Sequence, residues 1–542
     1  MFRGESKRGQ RRSSLRCVLL CLAVLCLIFG GRLVQSAVRS EQMIALVGGT
    51  LIDGNGGVPL KDAVVLIQGN KIVKVGSRNK VKYPKTAKVI DTRGKFILPG
   101  LIDMHIHYFD WMGELFLAHG VTTVKDVGND LLWIETISSE AQQGKVRGPR
   151  IFYVGDGLDS PPPARETHVG VDTPQMAQRA VELLRSRGAS AIKVREKLTP
   201  ELLKAITEEA HKLGIPVTGH IRRTDAREAA LAGIDGLEHV SGFLQALGLR
   251  PREFEPGQNE LQTFIADLKA FSQIETAKAD ELIKLLASRQ VALIPTMANW
   301  WRIASERREE FAREDAEYAK NPQLAYVPGD VRKQWASSSF YKLKNADDLA
   351  QVQAGYKKLQ YILMQHYKAG GKVLAASDTF SSVPGLSLQR ELMLLVDAGF
   401  TPMQAITMAT RDNAQFLARG KETGTIVPGK LADIIVLSAN PLEDIRDIER
   451  VEKVIKDGQE VDTNYHANYS IPTPRPAIKR PVWLEQQLQR SDKSKAGNGQ
   501  TREAVKSDEP CSSAHAIGQE KEQNHAKASH LHHRCCSCCC RW

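Results

Sequence analysis

The sequence predicts an α/β chain: a TIM-type (β/α)8 barrel with a small β-sandwich domain built from both flanks of the barrel. Three observations predict it. Between roughly 97 and 420, apolar β runs alternate with helical patterns, and about eight such units fall in ~320 residues. Short β-rich runs rich in turn residues lie on either side, at 37–98 and again at 421–465. Histidine, lysine and aspartate recur at the downstream ends of the expected barrel strands, the face on which such barrels place their chemistry.

At 542 residues, with 42% apolar and 25% charged residues, the chain can bury one large catalytic core and carry smaller parts. The net charge of +12 is concentrated at its ends. Residues 1–16 carry six Lys/Arg against one Glu, and 466–542 carry twelve against seven acids, which leaves only +2 on 17–465. A basic leader and a basic tail do not make a groove, so no nucleic-acid partner is expected. The nine cysteines are also terminal: three at 17–26 and six at 511–540. No disulfide can form between 27 and 510, and the core tolerates either redox compartment.

Taken in order, residues 1–36 read as a targeting segment. A basic start precedes the apolar run Cys17–Phe29, whose thirteen residues fall short of the ~20 of a spanning helix. Val34 and Ser36 suit a cleavage site before Ala37. A signal peptide is expected, or an N-terminal anchor if it is not cleaved, and with either an exported or membrane-anchored protein. The first β part, 37–98, contains Ile44-Ala-Leu-Val-Gly, Ala63-Val-Val-Leu-Ile-Gln and Lys71-Ile-Val-Lys-Val, with a Gly69-Asn70 hairpin signal between the last two. The barrel, 99–420, offers strands at 96–107, 121–127, 150–155, 190–194, 215–221, 235–240, 291–296 and 372–378. Its helices have readable starts, with Thr173-Pro174, Thr199-Pro200 and Thr401-Pro402 each placing an N-cap before proline at the first helical position.

An insertion at about 298–358 is charged, helical and studded with Trp300, Trp301, Tyr326, Trp335, Phe340 and Tyr341. Insertions after barrel strands emerge on the catalytic face, so a lid and a packing subdomain are both expectations here. The second β part, 421–465, contains Ile434-Ile-Val-Leu and Val451-Glu-Lys-Val-Ile. The tail, 466–542, is basic, Cys/His-rich at its end, and expected to be disordered. Its last cysteines lack the paired blocks of a structural zinc site.

His105 and His107 anchor the chemistry. They end an Ile- and Leu-rich run, and positions i and i+2 of a strand face the same way, which puts two imidazoles side by side as metal ligands. Lys193, His220, His239 and Asp378 end the fourth, fifth, sixth and eighth expected strands. His119, His211 and His366 fall on expected helices and read as packing or surface residues.

From about 40 to 465 the sequence resembles the metal-dependent amidohydrolase superfamily, in its binuclear, carboxylated-lysine branch. Within that branch it is most similar to imidazolonepropionase-related and Xaa-Pro dipeptidase-like members. The resemblance rests on Gly100-Leu-Ile-Asp-Met-His-Ile-His, on Gly399-Phe-Thr-Pro-Met-Gln-Ala-Ile-Thr-Met-Ala-Thr-Arg-Asp-Asn-Ala, and on Gly424-Thr-Ile-Val-Pro-Gly-Lys-Leu-Ala-Asp-Ile-Ile-Val-Leu. It implies two divalent ions, expected to be zinc, the first held by His105, His107 and Asp378 and the second by His220 and His239. Lys193 would bridge them as N6-carboxylysine, a carbamate derived from CO₂. A hydroxide between the ions would attack a carbon–nitrogen bond of a small substrate such as a dipeptide or N-acyl amino acid, with Asp378 moving the proton.

Arg222 and Arg223 follow His220 where related dipeptidases meet a substrate carboxylate, and an arginine fork suits that task. The loop 156–168 departs from the Gly- and His-rich loop common in those relatives. Lactone, ester or organophosphate hydrolysis would use the same ligands. A mononuclear deaminase generally lacks the strand-4 lysine and carries Glu after the strand-5 His, whereas here Lys193 is present and Ile-Arg-Arg follows His220. A ligand-depleted scaffold is disfavoured because all six ligand positions are filled. The expected partners are a small-molecule substrate, a second copy in a homo-oligomer, and a membrane reached through the leader or the tail.

Overall fold

The computed structural model describes residues 43–253, 260–337, 343, 345–379 and 382–490. The leader, all nine cysteines, and Phe340 and Tyr341 lie outside the described residues. No helix among the described residues is long and apolar enough to cross a membrane.

Both flanks of the chain meet in one sheet. The N-terminal flank supplies β1 (Ile44–Leu51), β2 (Leu60–Gln68), β3 (Lys71–Ser77), β4 (Lys88–Asp91) and β5 (Phe96–Pro99). The C-terminal flank supplies β15 (Ile434–Leu437), β16 (Val451–Lys456) and β17 (Gln459–Val461). Their order is β17-β16-β15-β5-β1-β2-β3, with β4 on β1. The seam between flanks is antiparallel, with Phe96 opposite Leu437 and Pro99 opposite Ile434. Hydrogen bonding thus makes the expected β unit a single eight-stranded sheet, because β5 carries the ladder across from one flank to the other. Along β1, Ile44 and Leu46 pack with Ile434 and Ile455, while Ala45 and Val47 pack with Val64, Leu66 and Val81. Alternation therefore buries both faces of this strand.

The expected strand 96–107 is broken at Gly100. Upstream of it, β5 belongs to the eight-stranded sheet; downstream, β6 (Leu101–Ile106) pairs in parallel with β7 (Val121–Asp126). A Cβ at Gly100 would lie 2.2 Å from Thr122 Oγ1, so the crossing between layers needs glycine.

The central region holds two parallel sheets. β6, β7 and β8 (Arg150–Tyr153) form one. The other runs through β9 (Gly157–Asp159), β10 (His168–Gly170), β11 (Ile192–Val194), β12 (Val217–Gly219), β13 (Gly236–Glu238) and β14 (Ala292–Ile294), in the order β10-β9-β11-β12-β13-β14. β9 and β10 lie where a loop is expected, beyond a break at Gly155, whose φ is +73°. The expected last strand, 372–378, makes one isolated bridge, Val373 to Leu293. It still donates from Leu374 N to Leu293 O (2.9 Å) and from Asp378 N to His105 O (2.8 Å), linking β14 to β6. Helices alternate with these strands in a barrel-like α/β arrangement, and Thr173, Thr199 and Thr401 cap helices as expected.

The insertion forms helices Met297–Ala304, Arg308–Lys320 and Gly329–Ala336 before the long helix Ala346–Lys368. Trp300, Trp301 and Trp335 are fully buried. Their rings lie 4.9 Å from Phe264, 5.1 Å from Phe311 and 6.0 Å from Trp111 respectively, so these aromatics build a packed subdomain.

Disorder from 466 onward does not hold for residues 466–490. Ile471, Val482, Leu484 and Leu488 are buried, and residues 483–490 are helical. Trp133 Nε1 donates to Thr473 O (3.1 Å), Arg475 Nε to Asn129 Oδ1 (2.8 Å), and Arg480 Nη1 to His168 O (2.8 Å). The polar composition of the whole tail hides these spaced apolar anchors.

Candidate metal centre

Four strand ends and the 373–378 stretch bring the predicted residues together. His105 is inside β6 and His107 lies one residue beyond it, and alternation turns both rings the same way, with centroids 5.7 Å apart. His220 follows β12 and His239 follows β13, and their ring centroids are 4.8 Å apart. His239 is also 4.8 Å from His105. Asp378 sits among them: its Oδ1 is 3.4 Å from His105 Nε2 and 3.9 Å from His107 Nε2, and its Oδ2 is 3.7 Å from His239 Nε2. Ligand atoms of His105, His107 and Asp378 all lie within 4.8 Å of one another, the spacing of a metal-holding group.

The hydrogen bonds behind these rings set their tautomers. Thr296 Oγ1 donates to Pro295 O (2.7 Å), so it accepts from His239 Nδ1 at 2.6 Å. His107 Nδ1 donates to Gly128 O (3.3 Å), and His105 Nδ1 faces Glu238 Oε2 at 3.5 Å. The bonds at His107 and His239 keep the proton on Nδ1 and leave Nε2 on the side of Asp378, as a metal ligand requires. Burial holds the four imidazoles well below their ordinary pKa, with the charge of Lys193 adding to the effect at each. They are neutral at pH 7, the form that ligates.

Lys193 is inside β11 and 1% exposed. Burial, together with Arg195 and Lys125, pushes its amine well below the usual lysine range. Its Nζ rests against Glu238 Oε2, while Glu238 Oε1 accepts from Thr218 Oγ1 (2.8 Å) and lies 3.9 Å from Lys125 Nζ. Lys125 is itself buried, and desolvation lowers its pKa to about 7. Asp103 Oδ1 accepts from Ser377 N (2.9 Å) and His105 N (3.2 Å), and Oδ2 accepts from Ser377 Oγ (2.5 Å), joining two ligand-bearing segments. Burial raises its carboxyl to about 7. Asn299 Nδ2 donates to Asp378 Oδ2 at 2.6 Å. Burial raises the Asp378 pKa, and the Asn299 bond pulls against that rise.

His239 and Asp378 both have positive φ, +59° and +45°. Such backbone costs about 1–3 kcal/mol per residue and concentrates at functional sites. The turn at His239 also explains why Glu238 escapes a reading by alternation: it precedes a ligand yet faces the same cluster. Asp103 is legible as the i−2 partner of His105, but Asn299 comes from the insertion's first helix and carries no local signal. Arg222 is buried and Arg223 exposed in the segment after β12. His119 and His366 are buried packing residues, and His211 is a surface residue paired with Asp235 at 2.8 Å.

The amidohydrolase family profile matches residues 350–461. Ochratoxinase of Aspergillus niger is 24% identical over 489 residues, covering 76% of this chain and 85% of that protein. Imidazolonepropionase of Alkaliphilus metalliredigens is 22% identical over 433 residues, 74% of this chain and 90% of that one. Among solved structures, a Xaa-Pro dipeptidase with bound methionine is 23% identical and superimposes with a TM-score of 0.55 over 78% of this chain and all of that one. The shared fold is the TIM-barrel-like α/β fold of that family. Its divalent-metal chemistry matches the His/Asp cluster found here. Residues 350–461 thus match the amidohydrolase family profile, and over about three quarters of its length the chain is similar to ochratoxinase and imidazolonepropionase.

Proposed function

We propose that this protein is a binuclear metal hydrolase that cleaves an amide-type carbon–nitrogen bond of a small substrate, on a closed (β/α)8 barrel. The convergence of His105, His107, His239 and Asp378, with the His107 and His239 rings anchored through Nδ1, carries the reading. The donor set fits divalent zinc-like ions: neutral imidazoles and one carboxylate, buried and mutually close. His105, His107 and Asp378 would hold the first ion, His220 and His239 the second, and carboxylated Lys193 would bridge them. Burial disfavours the charged form of the Lys193 amine, and the uncharged amine is the form that takes up CO₂. Lys125, on the far side of Glu238, supplies the cation that keeps Glu238 paired once Lys193 is anionic.

When bound, such ions supply Lewis acidity toward water and the scissile carbonyl. Asp378 accepts the proton of the attacking water on a carboxylate oxygen and delivers it to the leaving nitrogen. Asn299 orients that carboxylate by holding Oδ2. Asp103 fixes the backbone of both His105 and Ser377, so the residues that bind and the residue that moves the proton keep their spacing.

The test is metal content on protein purified without chelators, alongside turnover of a panel of dipeptides and N-acyl amino acids. Two ions per chain with turnover are expected, and Lys193→Ala should lose both. Two ions without turnover would direct the search to esters and lactones. One ion would revive the deaminase, and none would leave a scaffold.

A further inference from the structure

Asn468-Tyr469-Ser470 is the one place in the sequence where asparagine stands two residues before serine or threonine. The structure sets that triplet at a turn in the segment after β17. Tyr469 N donates to His466 O (2.8 Å), so Ala467 and Asn468 form the corner of a four-residue turn. Both sides of the corner are pinned. Upstream, His466 N donates to Glu114 Oε1 (2.8 Å), and Glu114 is buried. Downstream, the Tyr469 hydroxyl donates to Arg147 O (2.9 Å), the Tyr469 ring lies 5.1 Å from that of Tyr326, and Ile471 is buried. Between these anchors Ala467, Asn468 and Ser470 are all exposed. The chain thus alternates, with Tyr469 and Ile471 inward and the asparagine and serine outward. Among the described residues, neither the Asn468 amide nor the Ser470 hydroxyl makes a hydrogen bond. A turn tolerates asparagine at its corner, which accounts for Asn468 alone and makes no demand on Ser470.

We propose that Asn468 is a site of N-linked glycosylation, modified once the leader at 1–36 has carried the chain into a secretory compartment. Asparagine, any residue but proline, then serine or threonine is the acceptor triplet of that modification, and it must lie on the surface of an exported protein. The co-substrate is an oligosaccharide joined through its first sugar to a polyprenyl pyrophosphate. Asn468 Nδ2 takes C1 of that sugar: the C1–N bond forms, the C1–O bond to the pyrophosphate breaks, and one amide proton leaves with the lipid pyrophosphate. The extended segment offers asparagine and serine together before Tyr469 docks. Once it has docked, the turn holds the sugar outside the fold, because the residues at its corner face solvent. The cysteine pattern suits this route, since 27–510 holds no thiol for an oxidising compartment to alter. Glu114, Arg147 and Tyr326, which pin the turn, hold no place in the metal cluster, so the site does not rest on the hydrolase reading.

The experiment produces the full chain, with its own leader, in a eukaryotic secretory host and treats the product with peptide-N-glycosidase. Treatment should raise gel mobility by a single step and convert Asn468 to aspartate, read by mass spectrometry of the peptide that contains it. Asn468→Gln and Ser470→Ala should each run at the treated position from the start and gain nothing from the enzyme. Ser470→Thr keeps the triplet and should keep the step. A chain lacking residues 1–36 should stay unmodified. An unmodified Asn468 in the wild type overturns the proposal, whether the chain is exported or retained. A step that persists in both Asn468→Gln and Ser470→Ala overturns it too, because the sugar then sits elsewhere. Modification that survives removal of residues 1–36 overturns the route through the leader.

Discussion

Asp378 accepts from one neighbour, Asn299, and faces three imidazole Nε2 atoms, so its two oxygens have different surroundings. Removing its acid–base function should be severe: Asp378→Asn is expected to lower kcat by about 10³-fold. Asn299→Ala removes only the orienting bond, and kcat should fall about tenfold with KM within a factor of two and metal content unchanged. Steady-state kinetics with metal analysis separates the two. A second single-residue effect lies away from the site. His119 Nδ1 donates to Gln389 Oε1 (3.0 Å), its Nε2 accepts from Tyr465 (3.2 Å), and burial lowers its pKa to about 4. The unfolded chain titrates near 6.5, so between pH ~6.5 and ~4 the unfolded state binds a proton the native state refuses. Stability should therefore fall as pH drops through that window, by up to about 3 kcal/mol, and His119→Gln should lose that part of the slope. Urea unfolding of both proteins at several pH values measures it; parallel slopes would reject the assignment.

At the scale of elements, Gly100 is the hinge on which two layers depend. Gly100→Ala drives a methyl into Thr122 and should destabilise by about 1–3 kcal/mol. Thr122→Ala in the same chain should recover much of that loss, and a double-mutant cycle by chemical denaturation reads the coupling. The pattern of apolar residues could not reveal this break, because Ile and Leu run on both sides of Gly100. The ligand histidines were legible for the opposite reason: strand alternation is local, and His105 and His107 obey it. Lys193, His220 and His239 were legible as strand ends, even though the strands themselves are only three residues long. The short β9–β10 pair was not, since three-residue strands carry too little periodicity to separate from loop.

Over the whole molecule, contacts between distant residues decide what composition cannot show. Averaged over 466–542, the tail looks unable to bury a core, yet Ile471, Val482, Leu484 and Leu488 do so against the rest of the chain. Ending the protein at residue 465 should lower the thermal midpoint by several degrees and weaken retention of metal, because loops around Asn129 and His168 lose their fastening. Differential scanning calorimetry and metal analysis of that truncation test it; an unchanged midpoint would mean the segment is merely laid on the surface. The eight-stranded sheet makes the same demand, since β5 and β15 are far apart in sequence and adjacent in space.

Residues 473–480 hold segments that carry Asn129, Glu140 and His168, all made more than 300 positions earlier. On the ribosome, the early strands emerge first and must wait. The loops beside His107 gain their last restraint only when Arg475 and Arg480 have cleared the exit tunnel, so assembly of this centre is completed late in synthesis. A nascent chain whose exposed part ends between residues 461 and 475 should hold its helices and much of its interior, yet take up metal poorly until Arg475 and Arg480 follow.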